Sequence, residues 1–296
     1  MKYLVTGGAG FIGGHLVDKL IEQGHEVTVV DNLSTGIKSN INPKATFINA
    51  DISERINREE LCIAMENVDT VFHCAALARV QPSIQNPQKY HKANIDGTFN
   101  VLLSARDSKV RRVVYSASSS AYGDQKQMPL TEDMPTAPIS PYALHKLIGE
   151  QYCFVFSKCY GLETVSLRYF NVYGERQAVD GAYSTVIGTF LKQKYDGHKL
   201  TITNDGEQRR DFTYVGDVVD ANIKAATSEK VGDGEVINIG RGSNYSVNEV
   251  ADLISEEKEF IGDRLEPRET LADNTRAKEL LDWSPKTDLK DWLLPD

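Results

Sequence analysis

The sequence predicts an α/β protein in which a doubly wound parallel sheet is accompanied by a second, smaller mixed α/β domain. Three observations indicate this fold class. Short apolar runs alternate with amphipathic segments over the first half, the pattern becomes irregular past Tyr169, and 296 residues are enough to bury a large core. The composition, with 41% hydrophobic and 25% charged residues, is typical of a globular chain and gives no reason to expect disorder.

Each element follows from its local pattern. Runs of β-branched and aromatic residues predict buried strands at residues 3–5, 27–30, 46–48, 70–72, 112–115, 164–167, 200–202 and 236–239. Amphipathic segments predict helices at residues 11–23, 58–65, 91–107, 142–159, 183–194, 218–226, 247–257 and 275–281. Because strands and helices alternate, the strands should be parallel, with right-handed crossovers. The expected domains are discontinuous, with residues 1–170 plus about 213–240 in the first and about 171–212 plus 241–296 in the second.

Charge and cysteine usage exclude several classes of protein. A net charge of −9 and a pI near 5.3 argue against binding to nucleic acid or to an anionic membrane surface. The four cysteines lack a Cys-x-x-Cys pair, which predicts reduced thiols rather than disulfides or a metal site. No apolar run is long enough to span a bilayer, and the first strand begins at Lys2, which leaves no room for a signal peptide. We therefore expect a cytoplasmic protein.

A glycine-rich segment connects the first predicted strand to the first predicted helix. Gly7 permits a tight turn, Gly10 lets the backbone approach a pyrophosphate, and Gly13 allows the helix to pack closely on the strand. The next helix begins with Phe11 and Ile12, so its free N–H groups can bind phosphate. Glycines also occur in purely structural turns, but this arrangement favours a dinucleotide-binding loop in a Rossmann sheet.

The ends of the next strands predict which dinucleotide is bound. Asp31, followed by Asn32, ends the second strand about 20 residues after the glycine loop, where an acid hydrogen-bonds the ribose hydroxyls of NAD. An acid there repels the extra phosphate of NADP, so we expect NAD. Further candidates at strand ends, where ligands of such sheets bind, are Asp51, Ile52, Ala75 and Ala76.

A tyrosine and a lysine four residues apart suggest a reaction centre. Tyr142 and Lys146 share one face of a predicted helix, and a nearby cation lowers a tyrosine pKa from about 10. A tyrosine tuned in this way can act as a general base. Ser118, in a run of serines after the fifth strand, could place a hydroxyl beside Tyr142. Such a run is also typical of a polar turn that caps a helix.

With these three motifs together, the chain resembles the extended short-chain dehydrogenase/reductase family over nearly its whole length. Within that family it is most similar to the nucleotide-sugar 4-epimerases. The resemblance implies that Ser118, Tyr142 and Lys146 are catalytic, and that Tyr142 and Lys146 also contact NAD. Dehydratases and decarboxylases of the family carry an acid in the segment that here spans residues 118–123, and this segment has none. Its absence favours epimerisation.

The resemblance also implies a site for a UDP-sugar. Phe170 would lie near the nicotinamide, Asn171 would hold the diphosphate side of the substrate, and Arg210 and Arg268 would contact the diphosphate. Guanidinium groups suit phosphate oxygens, although isolated arginines are more often solvated surface charges. Ser118 and Tyr142 would face the sugar, and no metal is implied.

Two small residues, Ala78 and Thr275, match wall positions around the hexose in related epimerases. This implies that UDP-N-acetylglucosamine and UDP-N-acetylgalactosamine fit as well as UDP-glucose and UDP-galactose. Residues 174–183 also resemble enzymes that act on acetylated sugars.

The implied reaction inverts C4 of a UDP-hexose through a transient 4-keto sugar, with NAD bound throughout and Tyr142 taking the proton of the 4-hydroxyl. The alternatives are a UDP-glucuronate 4-epimerase, another NAD-dependent nucleotide-sugar oxidoreductase, or a non-catalytic NAD-binding protein. Relatives commonly form homodimers through the helices that here begin near His91 and Tyr142.

Overall fold

The computed structural model describes residues 1–179, 184–262 and 266–294. Its strands are β1 (Lys2–Thr6), β2 (Glu26–Asp31), β3 (Thr46–Asn49), β4 (Thr70–His73), β5 (Arg112–Ser118), β6 (Glu163–Tyr169), β7 (Val172–Tyr173), β8 (Leu200–Thr203), β9 (Arg209–Asp211), β10 (Thr213–Tyr214), β11 (Asp233–Ile239), β12 (Asn244–Ser246) and β13 (Lys258–Ile261). Its helices are α1 (Phe11–Glu22), α2 (Arg58–Ala64), α3 (Val80–Gln85), α4 (Pro87–His91), α5 (Gly97–Asp107), α6 (Pro141–Tyr160), α7 (Val186–Tyr195), α8 (Val215–Thr227), α9 (Val247–Ile254), α10 (Thr275–Leu281) and α11 (Leu289–Leu293).

A seven-stranded parallel sheet forms the centre of the molecule, in the order β11-β6-β5-β4-β1-β2-β3. The order reverses between β1 and β4, which is the topological switch point at which doubly wound sheets bind their ligands. The predicted fold class is confirmed: the sheet is parallel and has helices on both faces. Its carboxyl edge is therefore the expected location of the functional site.

Two apolar layers hold the helices against the sheet. On one face α1, α8 and α10 pack against side chains such as Val5 and Val29, which are fully buried. On the other face α2, α5 and α6 pack around residues such as Val71 and Val113. Burial on both faces explains why the strands are continuous apolar runs rather than alternating ones.

A smaller unit lies beyond the carboxyl edge of the sheet. Its core consists of α7, α9 and α11 packed on β8, with Phe190 and Val250 fully buried. The two-stranded pairs β8 with β13 and β9 with β12 frame this core. The unit faces the sheet across the cleft described below.

Several details differ from the sequence-based expectation. The predicted helix over 91–107 begins earlier, since α4 runs through a π-helical turn at Lys92–Asp96 into α5. The predicted helix over 247–257 ends at Ile254, and the chain then forms β13. The predicted helix over 183–194 is observed as α7, while residue 183 lies outside the described residues. Each of the predicted strands is present, within three residues at either end.

The tail of the chain bears on the expected domain boundaries, which stay a prediction. Residues 241–296 were expected in the second domain, yet α10 and Trp283 pack in the core of the large sheet, against α8. The Trp283 indole donates a hydrogen bond to the Asp217 carbonyl at 2.8 Å. The tail thus returns to the first unit before α11 joins the second.

Candidate functional site

A cleft of about 1110 Å³ lies at the carboxyl edge of the sheet. One side is formed by the glycine loop and the ends of β2 to β5, and the other by segments of the smaller unit such as β7 and the start of α7. Ser118, Tyr142 and Lys146 line it where the two sides meet. A cleft of this size can hold a dinucleotide and a second ligand facing it.

The glycine loop is packed too closely to carry side chains at two of its positions. A Cβ atom on Gly13 would lie 2.2 Å from the Gly7 carbonyl oxygen, and one on Gly7 would lie 2.7 Å from the Ala75 nitrogen. Gly7 also has a φ of 74°, which other residues rarely adopt. The loop therefore brings bare backbone to the end of β4.

The N-terminus of α1 offers free donors to the cleft. Its first turn begins at Phe11 and Ile12, and the preceding residue, Gly10, supplies no side-chain cap. Uncapped N–H groups at a helix N-terminus bind phosphate oxygens. This geometry suits the pyrophosphate of a dinucleotide.

Asp31 lies at the end of β2 with its carboxylate fixed by backbone donors. The Ala9 amide donates to Oδ2 at 3.0 Å and the Leu33 amide donates to Oδ1 at 2.8 Å. Each oxygen keeps a second lone pair. The carboxylate also lines the cleft, so it can accept hydrogen bonds from ribose hydroxyls there.

A second acid lies at the end of β3, and Asn32 connects it to the first. The Asn32 amide donates to Asp51 at 2.9 Å, and the Ser53 hydroxyl and amide donate to the other oxygen of that carboxylate. Burial raises the pKa of Asp51, but these hydrogen bonds outweigh it, and the pKa falls below the usual range. Ile52 follows in the cleft wall, and Ala75 and Ala76 line the same wall after β4.

The reaction centre is built where β5 ends and α6 begins. Ser118 is the last residue of β5, and its hydroxyl accepts hydrogen bonds from the Ser120 amide at 3.2 Å and the Ser120 hydroxyl at 2.9 Å. It lines the cleft beside Tyr142 and partly offsets the burial that raises the pKa of that phenol. The N-terminus of α6 is capped by Ser140, whose hydroxyl accepts from the Ala143 amide at 3.2 Å, and this cap positions Tyr142 in the first turn. One turn later, the Lys146 ammonium donates to the Ser116 carbonyl at 2.7 Å.

The electrostatics of Tyr142 differ from the sequence-based expectation. Burial raises the pKa of Tyr142, and the Ser118 hydroxyl and the Arg79 guanidinium act against this rise. The expected net lowering by Lys146 is therefore wrong for this structure. Burial lowers the pKa of Lys146 itself to about 8, because its ammonium is deep behind the cleft. The cation that acts on Tyr142 comes instead from the loop before α3.

Of the two residues expected at the crossover between cofactor and substrate, only Asn171 reaches the cleft. Its side-chain amide donates to the Asp211 carbonyl at 3.0 Å. Phe170 is fully buried and packs against Tyr122, so its side chain is turned away from the cleft. Tyr169 lines the cleft in its place.

The two predicted diphosphate-binding arginines have different environments. Arg210 lines the cleft and forms an ion pair with Glu266 at 2.5 Å. Arg268 does not line the cleft: its side chain is 60% exposed and pairs with Asp205 at 2.8 Å. The expectation for Arg268 is therefore corrected, since its guanidinium lies on the outer surface.

The expected hexose wall is also corrected in part. Ala78 lines the cleft, but Thr275 is exposed at the start of α10, where its amide donates to Asp273 at 2.8 Å. Counting without gaps from Arg268 placed this wall five residues too late, because Thr270 is the small residue of the segment that lines the cleft. In the segment over 174–183, residues 180–183 lie outside the described residues.

Comparison with known proteins identifies the family of this chain. A family model described as the NAD dependent epimerase/dehydratase family matches residues 3–240. The chain belongs to this family.

Relatives of this epimerase/dehydratase cover almost its whole length. A protein of Methanocaldococcus jannaschii named "Putative UDP-glucose 4-epimerase" is 42% identical over 97% of this chain and 94% of its own. The UDP-glucose 4-epimerase of Thermotoga maritima, solved with UDP-glucose, is 39% identical, covers 99% of this chain and 96% of its own, and superposes with a TM-score of 0.94. The UDP-N-acetylglucosamine 4-epimerase of Methanobrevibacter ruminantium is 35% identical, with 99% and 95% coverage and a TM-score of 0.92.

These findings confirm the family resemblance and the cofactor. The protein is an enzyme of the NAD dependent epimerase/dehydratase family, and NAD is its cofactor. The structure of the cleft also fits NAD. Its close-packed glycines, the uncapped N-terminus of α1 and the Asp31 carboxylate follow one another in the order found in dinucleotide-binding sites. The residues predicted to contact NAD stay predictions individually.

Beneath its reaction centre, this epimerase/dehydratase has a buried ion pair that sequence reasoning missed. Glu150 lies one turn after Lys146 and binds Arg168 of β6 through two hydrogen bonds of 2.9 and 2.7 Å. The Arg168 guanidinium also stacks on the Tyr122 ring at 4.5 Å. The four-residue spacing from Tyr142 through Lys146 to Glu150 was the available signal, since it places all three on one helix face.

His73 lies at the end of β4, behind the cleft. Its two ring nitrogens contact the hydroxyls of Thr6 at 2.7 Å and Thr98 at 2.9 Å. Burial lowers the pKa of His73 to about 3, so the imidazole is neutral. It thus ties β1 and α5 to β4.

Proposed function

We propose that the protein is a UDP-hexose 4-epimerase that inverts C4 through a transient 4-keto sugar. The observation that supports this most is that Ser118 and Tyr142 line the same cleft as Asn171 and Arg210. One side of the cleft suits a dinucleotide and the other suits a diphosphate. The segment over 118–123 has no acid that could help expel water or a carboxylate.

The residues of the chain have separate roles in this reaction. Bound NAD would supply a reversible hydride acceptor. Tyr142 takes the proton of the sugar 4-hydroxyl and returns it, and the Ser118 hydroxyl, which lines the cleft beside it, stabilises the ionised phenol. Asn171 and Arg210 hold the diphosphate while the oxidised sugar turns to present its other face. Lys146, anchored on the Ser116 carbonyl, keeps the first turns of α6 in position.

The wall near the hexose supports a broad substrate range. Ala78 and Thr270 are both small and both line the cleft, which leaves room for an N-acetyl group. We therefore infer that UDP-glucose and UDP-galactose are substrates and that their N-acetylated counterparts also fit. A UDP-glucuronate 4-epimerase is the second candidate, because the Arg79 guanidinium in the same wall could face a carboxylate.

The test is to incubate the NAD-loaded enzyme separately with UDP-glucose, UDP-N-acetylglucosamine and UDP-glucuronate and to resolve the products at C4. We expect the galacto epimers of the first two. Conversion of UDP-glucuronate alone would replace the first candidate by the second. A protein that holds NAD but converts none of the three would contradict both and would support a non-catalytic NAD-binding role.

We also infer a homodimer in the cytoplasm. The outer faces of α5 and α6 expose apolar side chains, namely Phe99, Leu144, Phe154 and Val155, and such a patch favours association. Light scattering after size exclusion tests this, since a monomer at micromolar concentration would contradict it. None of the helices in the described residues is long and apolar enough to cross a membrane.

A further inference from the structure

Arg79 occupies an unusual backbone position at the edge of the reaction centre. It immediately precedes α3 and has a φ of 86°, in a region where the backbone of a non-glycine residue is strained. Such strain persists only where the surroundings fix the backbone. The side chain lines the same cleft as Tyr142 and Ser118.

The surroundings do fix this loop. The Asn94 side chain accepts from the Leu77 amide at 2.8 Å and donates to the Leu77 carbonyl at 2.9 Å. The Tyr90 hydroxyl donates to the Ala78 carbonyl next along the chain.

On the far side of Arg79, the Tyr142 amide donates to the Ser83 hydroxyl at 3.2 Å, which joins α3 to the first turn of α6. Arg79 is thus held between fixed points on both sides, one of which is Tyr142 itself.

Among the described residues, the ionisable groups that act on the Tyr142 phenol are Arg79 before α3 and Tyr115 on β5. Around these two lie Tyr90 on α4, Cys74 after β4, and Lys146 and Glu150 on α6, of which Glu150 is paired with Arg168. Burial raises the pKa of both Cys74 and Tyr115, so these two groups are uncharged near neutral pH. The cations of this set are Arg79 and Lys146, and the Lys146 ammonium donates to the Ser116 carbonyl.

We propose that Arg79 is a positioning residue for the proposed epimerase reaction, whose guanidinium stabilises the phenolate of Tyr142 and holds the phenol towards the sugar. The proposal rests on the proposed function for its kinetic consequence only, because the effect on the phenol itself does not depend on the substrate. Arg79 is half-buried in this wall, where solvent screens its charge less than at the open surface.

The decisive measurement compares Arg79→Gln and Arg79→Lys in the NAD-loaded enzyme. Loss of the Arg79 charge should raise the pKa of the Tyr142 phenol by about one unit or more, because the phenolate loses a neighbouring cation. We therefore expect the acid limb of the kcat/KM profile to move to higher pH by about that amount in Arg79→Gln, and to return most of the way in Arg79→Lys. Arg106→Gln, in an exposed pair with Asp107 on α5, is the matched control and should leave the profile unchanged.

A second readout does not require turnover. Ultraviolet difference titration at the phenolate band, with Tyr142→Phe as the reference, reports the ionisation of Tyr142 directly. We expect the Tyr142 transition to move to higher pH in Arg79→Gln. If neither the titration nor the pH profile moves, the proposal is overturned, even if activity falls.

Loss of UDP-glucuronate turnover in Arg79→Gln without a shift in either profile would assign Arg79 to substrate selection instead and would also overturn the proposal. If no UDP-sugar is converted by the native enzyme, the proposed function fails, while the titration still decides the role of Arg79.

Discussion

Tyr142 combines burial, a neighbouring hydroxyl and a nearby cation, so removing its own hydroxyl tests the proposed chemistry most directly. Tyr142→Phe keeps the ring and its packing but removes the proton acceptor. We expect kcat for C4 inversion to fall by about 10²–10⁴-fold, the range that a general base supplies. The NAD content, measured after denaturation, should stay near that of the native enzyme. Near-normal turnover in this variant would show that another group takes the proton.

The width of the hexose site can be tested with a matched pair of substitutions. Ala78→Tyr places a large side chain in the cleft wall, whereas Thr275→Tyr changes an exposed residue at the start of α10. We expect Ala78→Tyr to lower kcat/KM for UDP-N-acetylglucosamine at least about tenfold more than for UDP-glucose, since one crowding contact is worth about 1–3 kcal/mol. Thr275→Tyr should alter neither value; an equal effect of the two variants would contradict the assignment of the wall.

A site residue can be located from the sequence when its role depends only on the neighbouring residues of its own segment. Gly7, Gly13 and Asp31 could be located because turn geometry and strand ends are properties of short segments. Thr275 could not, because its placement depended on the length of a segment whose course the sequence does not specify. Arg268 could not, because the direction of its side chain depends on its tertiary partner Asp205. Arg79 had no local signal at all, since its importance arises from the contact between two distant elements.

Helix α1 contains two adjacent glycines that should respond oppositely to the same substitution. A Cβ on Gly13 would lie 2.2 Å from the Gly7 carbonyl oxygen, so Gly13→Ala forces the helix away from the loop. We expect it to destabilise the protein by about 1–3 kcal/mol and to weaken NAD retention. Chemical denaturation and the NAD content after desalting measure the two effects.

The control is Gly14→Ala, whose Cβ would meet the flexible end of Arg176 at 3.4 Å. It should be neutral or stabilising by up to about 1 kcal/mol, because alanine favours the helix. Equal destabilisation by both substitutions would mean that the effect comes from the helix and not from the close approach to the loop.

Among the elements, the buried strands and long helices were predictable because each carries its own periodic pattern. The strands β7, β9, β10 and β12 have only two or three residues each, too few to show a period, and they exist because tertiary contacts pair them. β13 was missed for a related reason, since its four residues gain their strand structure by pairing with β8.

The stability of the whole molecule should depend on pH through His73. Its pKa is about 3 when folded and about 6.5 when unfolded, so between these values the unfolded chain binds the extra proton. The contribution of this neutral imidazole is fully present above pH 6.5. It is lost as the pH falls towards 3, with a slope of about 1.4 kcal/mol per unit.

Denaturation of His73→Gln between pH 4 and 7 tests this. The free energy of unfolding should fall less steeply on acidification than in the native protein, because that proton uptake is absent. The exposed His198 provides the control His198→Gln, whose slope should match the native one. Parallel slopes for the native protein and His73→Gln would contradict the buried, neutral assignment.

The architecture of the whole chain was predictable in its layers but not in its boundaries. Alternating strand and helix patterns specify a doubly wound parallel sheet with right-handed crossovers, but not the order of its strands. The path of the tail was not predictable, since Trp283 and α10 carry the same apolar pattern whichever core they join. In the structure they pack against α8, in the core on one face of the large sheet.

In the proposed role of Arg210, diphosphate binding is an exchange of partners, because the guanidinium already forms an ion pair with Glu266. The guanidinium is already neutralised before a ligand arrives, so the site exerts little long-range attraction on an anion. Affinity for UDP should therefore change only weakly with ionic strength. Glu266→Gln should bind UDP more tightly in dilute buffer and lose that advantage steeply as salt is added. Glu266 thus lowers the affinity for UDP and at the same time makes that affinity less dependent on ionic strength.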